Sequence, residues 1–128
     1  MHIQPALDEL RTLLDERLGT SDALRGQHAQ SETWITAGRP DAVAFPRSTA
    51  EVSAIARICA RHRVPMVGWG AGTSLEGHAL AVKGGVTVDF AQMDQVLAVH
   101  PEDRLAIVQP GITREALNTA LRATGLMF

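Results

Sequence analysis

Cysteine is almost missing from this sequence: among 128 residues only Cys59 occurs, which excludes an intrachain disulfide and suits a reducing compartment. Cationic runs are missing too. Twelve Lys and Arg against fourteen Asp and Glu leave a net charge of −2, and no basic stripe tracks a phosphate backbone, so no nucleic acid partner is expected. No uninterrupted apolar stretch approaches the roughly 20 residues that span a bilayer. Met1 to Leu18 carries Asp8, Glu9, Asp15 and Glu16 where an export signal would be apolar. The expected location is therefore the cytoplasm. What is present is globular: 45% hydrophobic and 20% charged residues, in a length that supports one core but not a further substrate domain.

Ile3, Leu7, Leu10, Leu14 and Leu18 recur at helical steps and predict an amphipathic helix closed by a left-handed Gly19. Thr20 to Pro40 is polar and aperiodic, so it reads as a long loop, pinned by Trp34 and Ile35. Ala42-Val43-Ala44-Phe45, ended by Pro46, predicts a strand. Ser48-Thr49-Ala50-Glu51 matches a capping box that opens a second helix over about Thr49 to His62, with Val52, Ile55, Ala56 and Cys59 as its buried stripe. Strands follow at Val64–Gly68 and, after the Gly84-Gly85 turn, at Val86–Phe90, where an alternating pattern is read. Val96–His100 and Leu105–Val108 then predict an antiparallel hairpin around Pro101-Glu102-Asp103-Arg104. A third helix is capped by Thr113, faces Leu117, Ala120 and Leu121 inward, and ends at Gly125. The apolar Leu126-Met127-Phe128 reads as the start of another strand, as though the chain were cut within a domain, with a helix tail folding back onto the core as the other reading.

The chemistry lies in Gly68-Trp69-Gly70-Ala71-Gly72-Thr73-Ser74-Leu75-Glu76-Gly77-His78. Glycine at alternate positions lets successive N–H groups turn toward one anion, and Thr73 and Ser74 add hydroxyls, so a phosphate or pyrophosphate is the natural occupant. Neither familiar helix-backed phosphate loop fits. There is no lysine before Lys83 for a P-loop, and Ala79-Leu80-Ala81-Val82 is no amphipathic helix of a Rossmann unit. His2, His28, His62 and His100 show no metal-ligand spacing with each other or with Cys59 and are expected to be surface or cap residues; no metal site is predicted. Glu102 and Asp103 read as an ordinary solvated turn rather than an acid/base pair.

Residues 40–52, His62-Arg63-Val64-Pro65, 70–78, Met93-Asp94-Gln95-Val96-Leu97, Pro101-Glu102-Asp103 and Val108-Gln109-Pro110-Gly111-Ile112-Thr113 together resemble, in order, the FAD-binding domain of the vanillyl-alcohol-oxidase type. Within that superfamily, Gly-Thr-Ser-Leu-Glu-Gly-His with Gln-Pro-Gly-Ile-Thr is similar to cytochrome-linked D-lactate dehydrogenases and to glycolate oxidase subunits. The resemblance implies an α+β fold: a small sheet with flanking helices, then the start of a second antiparallel sheet. Residues 1–41 would be an N-terminal helix and loop, 42–91 a first subdomain and 92–128 the beginning of a second.

By the same resemblance the cofactor is FAD. Gly70, Ala71, Gly72, Thr73, Ser74 and Leu75 would hold its pyrophosphate, with Gly68 and Trp69 leading in. Gly77 and His78 would lie toward the flavin without a covalent bond, and Pro110 and Gly111 would pass close to the cofactor. Trp69 stands where relatives commonly carry a small or basic residue; it is read first as packing, with narrowing of the loop as the other reading. The implied reaction is oxidation of a D-2-hydroxy acid such as D-lactate to the 2-oxo acid by hydride transfer to FAD. No catalytic residue is assigned within these 128, and substrate, electron acceptor and peripheral membrane attachment belong to a longer parent. The other reading is a non-catalytic fragment or interaction module of the same fold. Self-association through an exposed apolar edge is expected.

Overall fold

The first helix ends four residues sooner than the leucine spacing predicts. In the structure, a computed structural model that describes residues 3–35 and 38–128, α1 is Gln4–Leu14 and buries Ala6, Leu10 and Leu14. Asp15 (φ 52°), not Gly19, breaks it, and a 3₁₀ turn at Asp15–Arg17 leads into the two-residue strand β1, Leu18–Gly19. Leu18 is buried as predicted, but as a strand residue. Gly19 is not left-handed, and a Cβ there would meet the end of the Leu24 side chain. Leu24 belongs to α2, Asp22–Gln27, which lies where a loop was expected. Six residues are too few to display a periodic stripe; the local signal is Ser21, whose hydroxyl accepts from the Leu24 amide. Trp34 pins nothing, being 91% exposed, whereas Ile35 packs on Trp69 and its neighbours.

Four strands form the main sheet in the order β1-β2-β4-β3, with β2 at Ala42–Ala44, β3 at Met66–Trp69 and β4 at Val86–Asp89. β4 is parallel to both β2 and β3, while β1 is antiparallel to β2. α3, Thr49–Arg61, makes the crossover between β2 and β3. β4 is buried at all four positions instead of alternating, as befits the central strand of a sheet covered on both faces. Val86 and Val88 join Ala42 and Ala44 against Leu10, Leu14, Ile55 and Cys59 in the principal core. The strand pleat therefore sends Val43, Thr87, Asp89 and Trp69 to the other face. Along α3 the fully buried residues are Ile55, Ile58 and Cys59; Val52 and Ala56 are only half-buried. Burial raises the pKa of the Cys59 thiol.

Half of the predicted capping box forms. Ser48 Oγ accepts from the Glu51 amide at 3.2 Å, but the Glu51 carboxylate turns to the Arg47 amide (2.8 Å) and to a two-pronged bond with the Arg17 guanidinium (2.8 and 2.5 Å). That guanidinium, more than the added amide, holds the Glu51 carboxyl down at about 2.

A separate two-stranded sheet is the predicted hairpin: β5, Val96–His100, and β6, Leu105–Val108, joined by a 3₁₀ turn at Pro101–Asp103 and a left-handed Arg104. α4, Arg114–Leu121, is capped by Thr113 as predicted. It buries Leu117 and Leu121, but Ala120 is exposed. Gly125 (φ 75°) follows a further 3₁₀ turn. Leu126-Met127-Phe128 does not begin a strand: the Asn118 side chain bonds both the amide and the carbonyl of Phe128 and folds the segment back along α4. A cleft of about 640 Å³ remains between this segment, α4 and the hairpin. No helix among the described residues is long and apolar enough to cross a membrane.

Candidate functional site

The glycine segment leaves the C-terminal end of β3, the end of parallel strands at which open sheets bind ligands. From Gly70 to Leu75 the backbone has no regular structure, and no acceptor among the described residues takes a hydrogen bond from any of these six amides. Gly72 is left-handed (φ 72°), which reverses the chain and gives it the curvature of a cup. Gly70 faces open space, while Ala71, Thr73 and Leu75 are exposed. Donors that are neither bonded internally nor buried are available to an anion. The Thr73 hydroxyl is likewise unengaged among the described residues, whereas Ser74 Oγ accepts from the Glu76 amide and lies 3.2 Å from His78 Nδ1. Ser74 thus shapes the loop through its hydroxyl.

Beneath the cup lies Trp69, 9% exposed, pressed so closely under Gly72 that a Cβ on Gly72 would overlap the indole. The indole also meets the His28 ring, at a centroid distance of 4.7 Å. Trp69 is therefore a floor to the loop, the packing reading of the sequence. His28, expected as a surface or cap residue, is the C-cap of α2, and it is buried with both ring nitrogens engaged: Nδ1 with the Leu24 carbonyl (2.9 Å) and Nε2 with Asp89 Oδ2 (2.7 Å). Asp89 Oδ1 accepts from the Ala91 amide at 2.9 Å. This pair is absent from the sequence reading. Asp89 left a signal, a charge inside the strand-like Val-Thr-Val-Asp-Phe run, since a buried carboxylate needs a partner. His28 left none, its partner being 61 residues away.

The other predicted residues fall in two places. Gly77 is buried against the 31–35 segment, where a Cβ would come within 2.7 Å of Ile35 Cδ1, and Ser31 Oγ donates to the Ser74 carbonyl at 2.7 Å. That segment straps the far side of the loop, and His78 beside it is exposed. Gly68 and Gly111 lie on either side of Phe90: a Cβ on Gly68 would touch the Phe90 ring at 3.3 Å, and one on Gly111 would overlap the Phe90 carbonyl. The Gly111 amide donates to the Met93 carbonyl (2.8 Å), and Pro110 beside it is exposed. Phe90 therefore brings the Pro110-Gly111 corner near the end of β3.

Elsewhere the titratable groups serve the scaffold. His62 caps α3 and bonds Glu9, whose carboxyl pKa is lowered chiefly by that bond; His100, Glu102 and Asp103 are exposed. His2 lies outside the described residues. No group of three potential metal ligands occurs among the described residues.

A family model described as an FAD binding domain matches residues 40–128. A probable mitochondrial D-lactate dehydrogenase of Danio rerio is 46% identical over 114 residues, 89% of this chain and 23% of the relative. The glycolate oxidase subunit GlcD of Bacillus subtilis is 37% identical over 113 residues, 88% of this chain and 24% of the relative. A structure of p-cresol methylhydroxylase with substrate bound superimposes with a TM-score of 0.85 at 22% identity, covering 97% of this chain and 25% of that one. The chain thus spans about a quarter of the length of these relatives.

Proposed function

Because the chain belongs to the FAD binding domain family and FAD is its cofactor, we propose that the cup from Gly70 to Leu75 is the cradle for the pyrophosphate of FAD in a longer D-2-hydroxy-acid dehydrogenase, D-lactate being the first substrate to test. One observation carries this reading: six consecutive amides, at the C-terminal end of a parallel strand, that no protein acceptor among the described residues satisfies. The partial positive charges of these free donors suit a diphosphate, and the nearest carboxylate in sequence is Glu76, beyond the cup. When bound, FAD supplies the hydride acceptor for oxidation of the hydroxy acid.

The chain's own part is to bind and orient. Gly70, Ala71, Gly72, Thr73, Ser74 and Leu75 hold the diphosphate, Gly68 and Trp69 support its approach, and Gly77, His78, Pro110 and Gly111 border the path toward the flavin. On this reading residues 42–91 form the first subdomain and 92–128 the start of the second. The base that takes the hydroxyl proton and the cation that holds the substrate carboxylate lie in the remainder of the longer protein, as do contacts with the electron acceptor. The buried free thiol Cys59 favours a reducing compartment. Exposed Leu97, Leu105, Ile107, Met127 and Phe128 favour self-association of the isolated chain.

Titration with FAD, ADP and riboflavin tests the cradle. FAD and ADP, which share the diphosphate, are expected to bind and to compete, and riboflavin, which has no phosphate, is expected not to. Riboflavin binding as tightly as FAD would remove the diphosphate from the account.

A further inference from the structure

The buried residues under the cup form a chain of contacts that reaches it from α2. Leu24 in α2 accepts from His28, His28 bonds Asp89 at the end of β4, and Asp89 holds the Ala91 amide. The His28 ring lies against Trp69, and Trp69 lies against Gly72, the residue that reverses the loop. The whole line is buried: His28 is 5% exposed, Asp89 7% and Trp69 9%. Trp69 and Asp89 are register partners on adjacent strands, so the ring and the carboxylate that fixes it share one rigid base.

We propose that His28 and Asp89 are positioning residues for the diphosphate cradle, setting the height of the Trp69 indole and through it the curvature at Gly72. The inference rests on the FAD reading of the loop. An imidazole held at both nitrogens cannot rotate, so the indole above it has one seat. With the indole seated, Gly72 and its neighbours keep their amides directed outward instead of collapsing onto the space the ring fills. Loss of the His28 ring would leave a void under Trp69 into which the indole and the loop relax, and the amides would lose their common focus. The carboxylate itself is dispensable if its geometry is kept. In Asp89→Asn the amide oxygen still accepts from Ala91, the amide nitrogen donates to His28 Nε2, and His28 Nδ1–H still donates to Leu24.

The test uses the whole chain carrying Trp34→Phe, which leaves Trp69 as its single tryptophan, and inorganic pyrophosphate as a colourless probe. Pyrophosphate is expected to change Trp69 emission. Adding His28→Ala should weaken its affinity at least tenfold per folded molecule, whereas Asp89→Asn should stay within threefold of the parent. A purely structural pair would lower the melting temperature in His28→Ala and leave the affinity of the folded fraction unchanged, which would overturn the proposal. Because His28→Ala risks unfolding, a second measurement needs no substitution at the pair: in the parent, saturating pyrophosphate should shift the Gly72 amide and the His28 ring in nuclear magnetic resonance spectra but not the His62 ring. A shifted Gly72 amide with an unmoved His28 ring refutes the coupling alone. Amides from Gly70 to Leu75 that ignore both pyrophosphate and FAD refute the cradle, and the proposal with it.

Discussion

Two glycine-rich segments lie on either side of Ala79-Leu80-Ala81, and they use their backbones in opposite ways. At Gly84-Gly85 every donor is taken: the Gly84 amide bonds the Ala81 carbonyl, and the Gly85 amide bonds Asp41 Oδ2 at 2.7 Å while its carbonyl accepts from Asp41 and Ala42. From Gly70 to Leu75 no described residue takes any amide. Both contain left-handed glycines, so conformation does not separate them. The destination of the N–H groups does. A glycine pattern marks where a chain can turn sharply; only the unsatisfied donors distinguish a ligand cradle from a structural turn.

The turn side of this contrast carries the largest expected effect. In Gly85→Ala a Cβ would overlap the Pro65 carbonyl, backbone that also accepts from the Val86 amide, at φ 88°. Stability in urea should fall by more than about 3 kcal/mol. Equal stability would mean the turn has slack that the structure denies. In Gly72→Ala the Cβ meets the indole of Trp69, and the cost should appear mainly in function: FAD or ADP affinity at least tenfold weaker, about 1.4 kcal/mol, with the chain still folded by circular dichroism. Unchanged affinity would put Gly72 on the same footing as Gly85.

The start of α3 offers a third, smaller test, because there a carboxylate takes the Arg47 amide. Glu51 has a folded pKa of about 2, below its ordinary 4.5, so its contribution is present above pH 4.5 and fades as pH falls toward 2. Glu51→Gln should cost about 1 kcal/mol at pH 7, and the difference from the parent should close over that window; a difference constant from pH 7 to pH 2 would contradict the assignment. Smallest of all, Trp34→Phe should shift stability by less than about 0.5 kcal/mol, since 91% of Trp34 is exposed.

Legibility followed the range of the interactions. The Ser48 and Thr113 caps, the hairpin around Pro101 and the glycine loop are written within a few consecutive residues, and all are found where the sequence places them. α2 was hidden because one turn and a half shows no stripe. The alternation read into Val86–Phe90 failed because the second face of β4 is covered by partners that only the fold supplies. Gly19 suggests a cap on local grounds, while its actual neighbour, the Leu24 side chain, belongs to the helix that the sequence hides. The His28–Asp89 bond lay beyond reach for the same reason: neither residue predicts the other.

The Gly111 corner sets a tolerance for the whole molecule. Its α-carbon rests so near the Phe90 carbonyl that nothing larger than a hydrogen atom fits between them, and its amide is anchored to Met93. The spacing between the two strands of chain at that crossing is therefore the thickness of bare backbone, which evolution can widen only by parting the segment after β4 from the one after β6. Any variant that grows a side chain at this crossing shifts the stretch leading into α4 bodily, rather than locally.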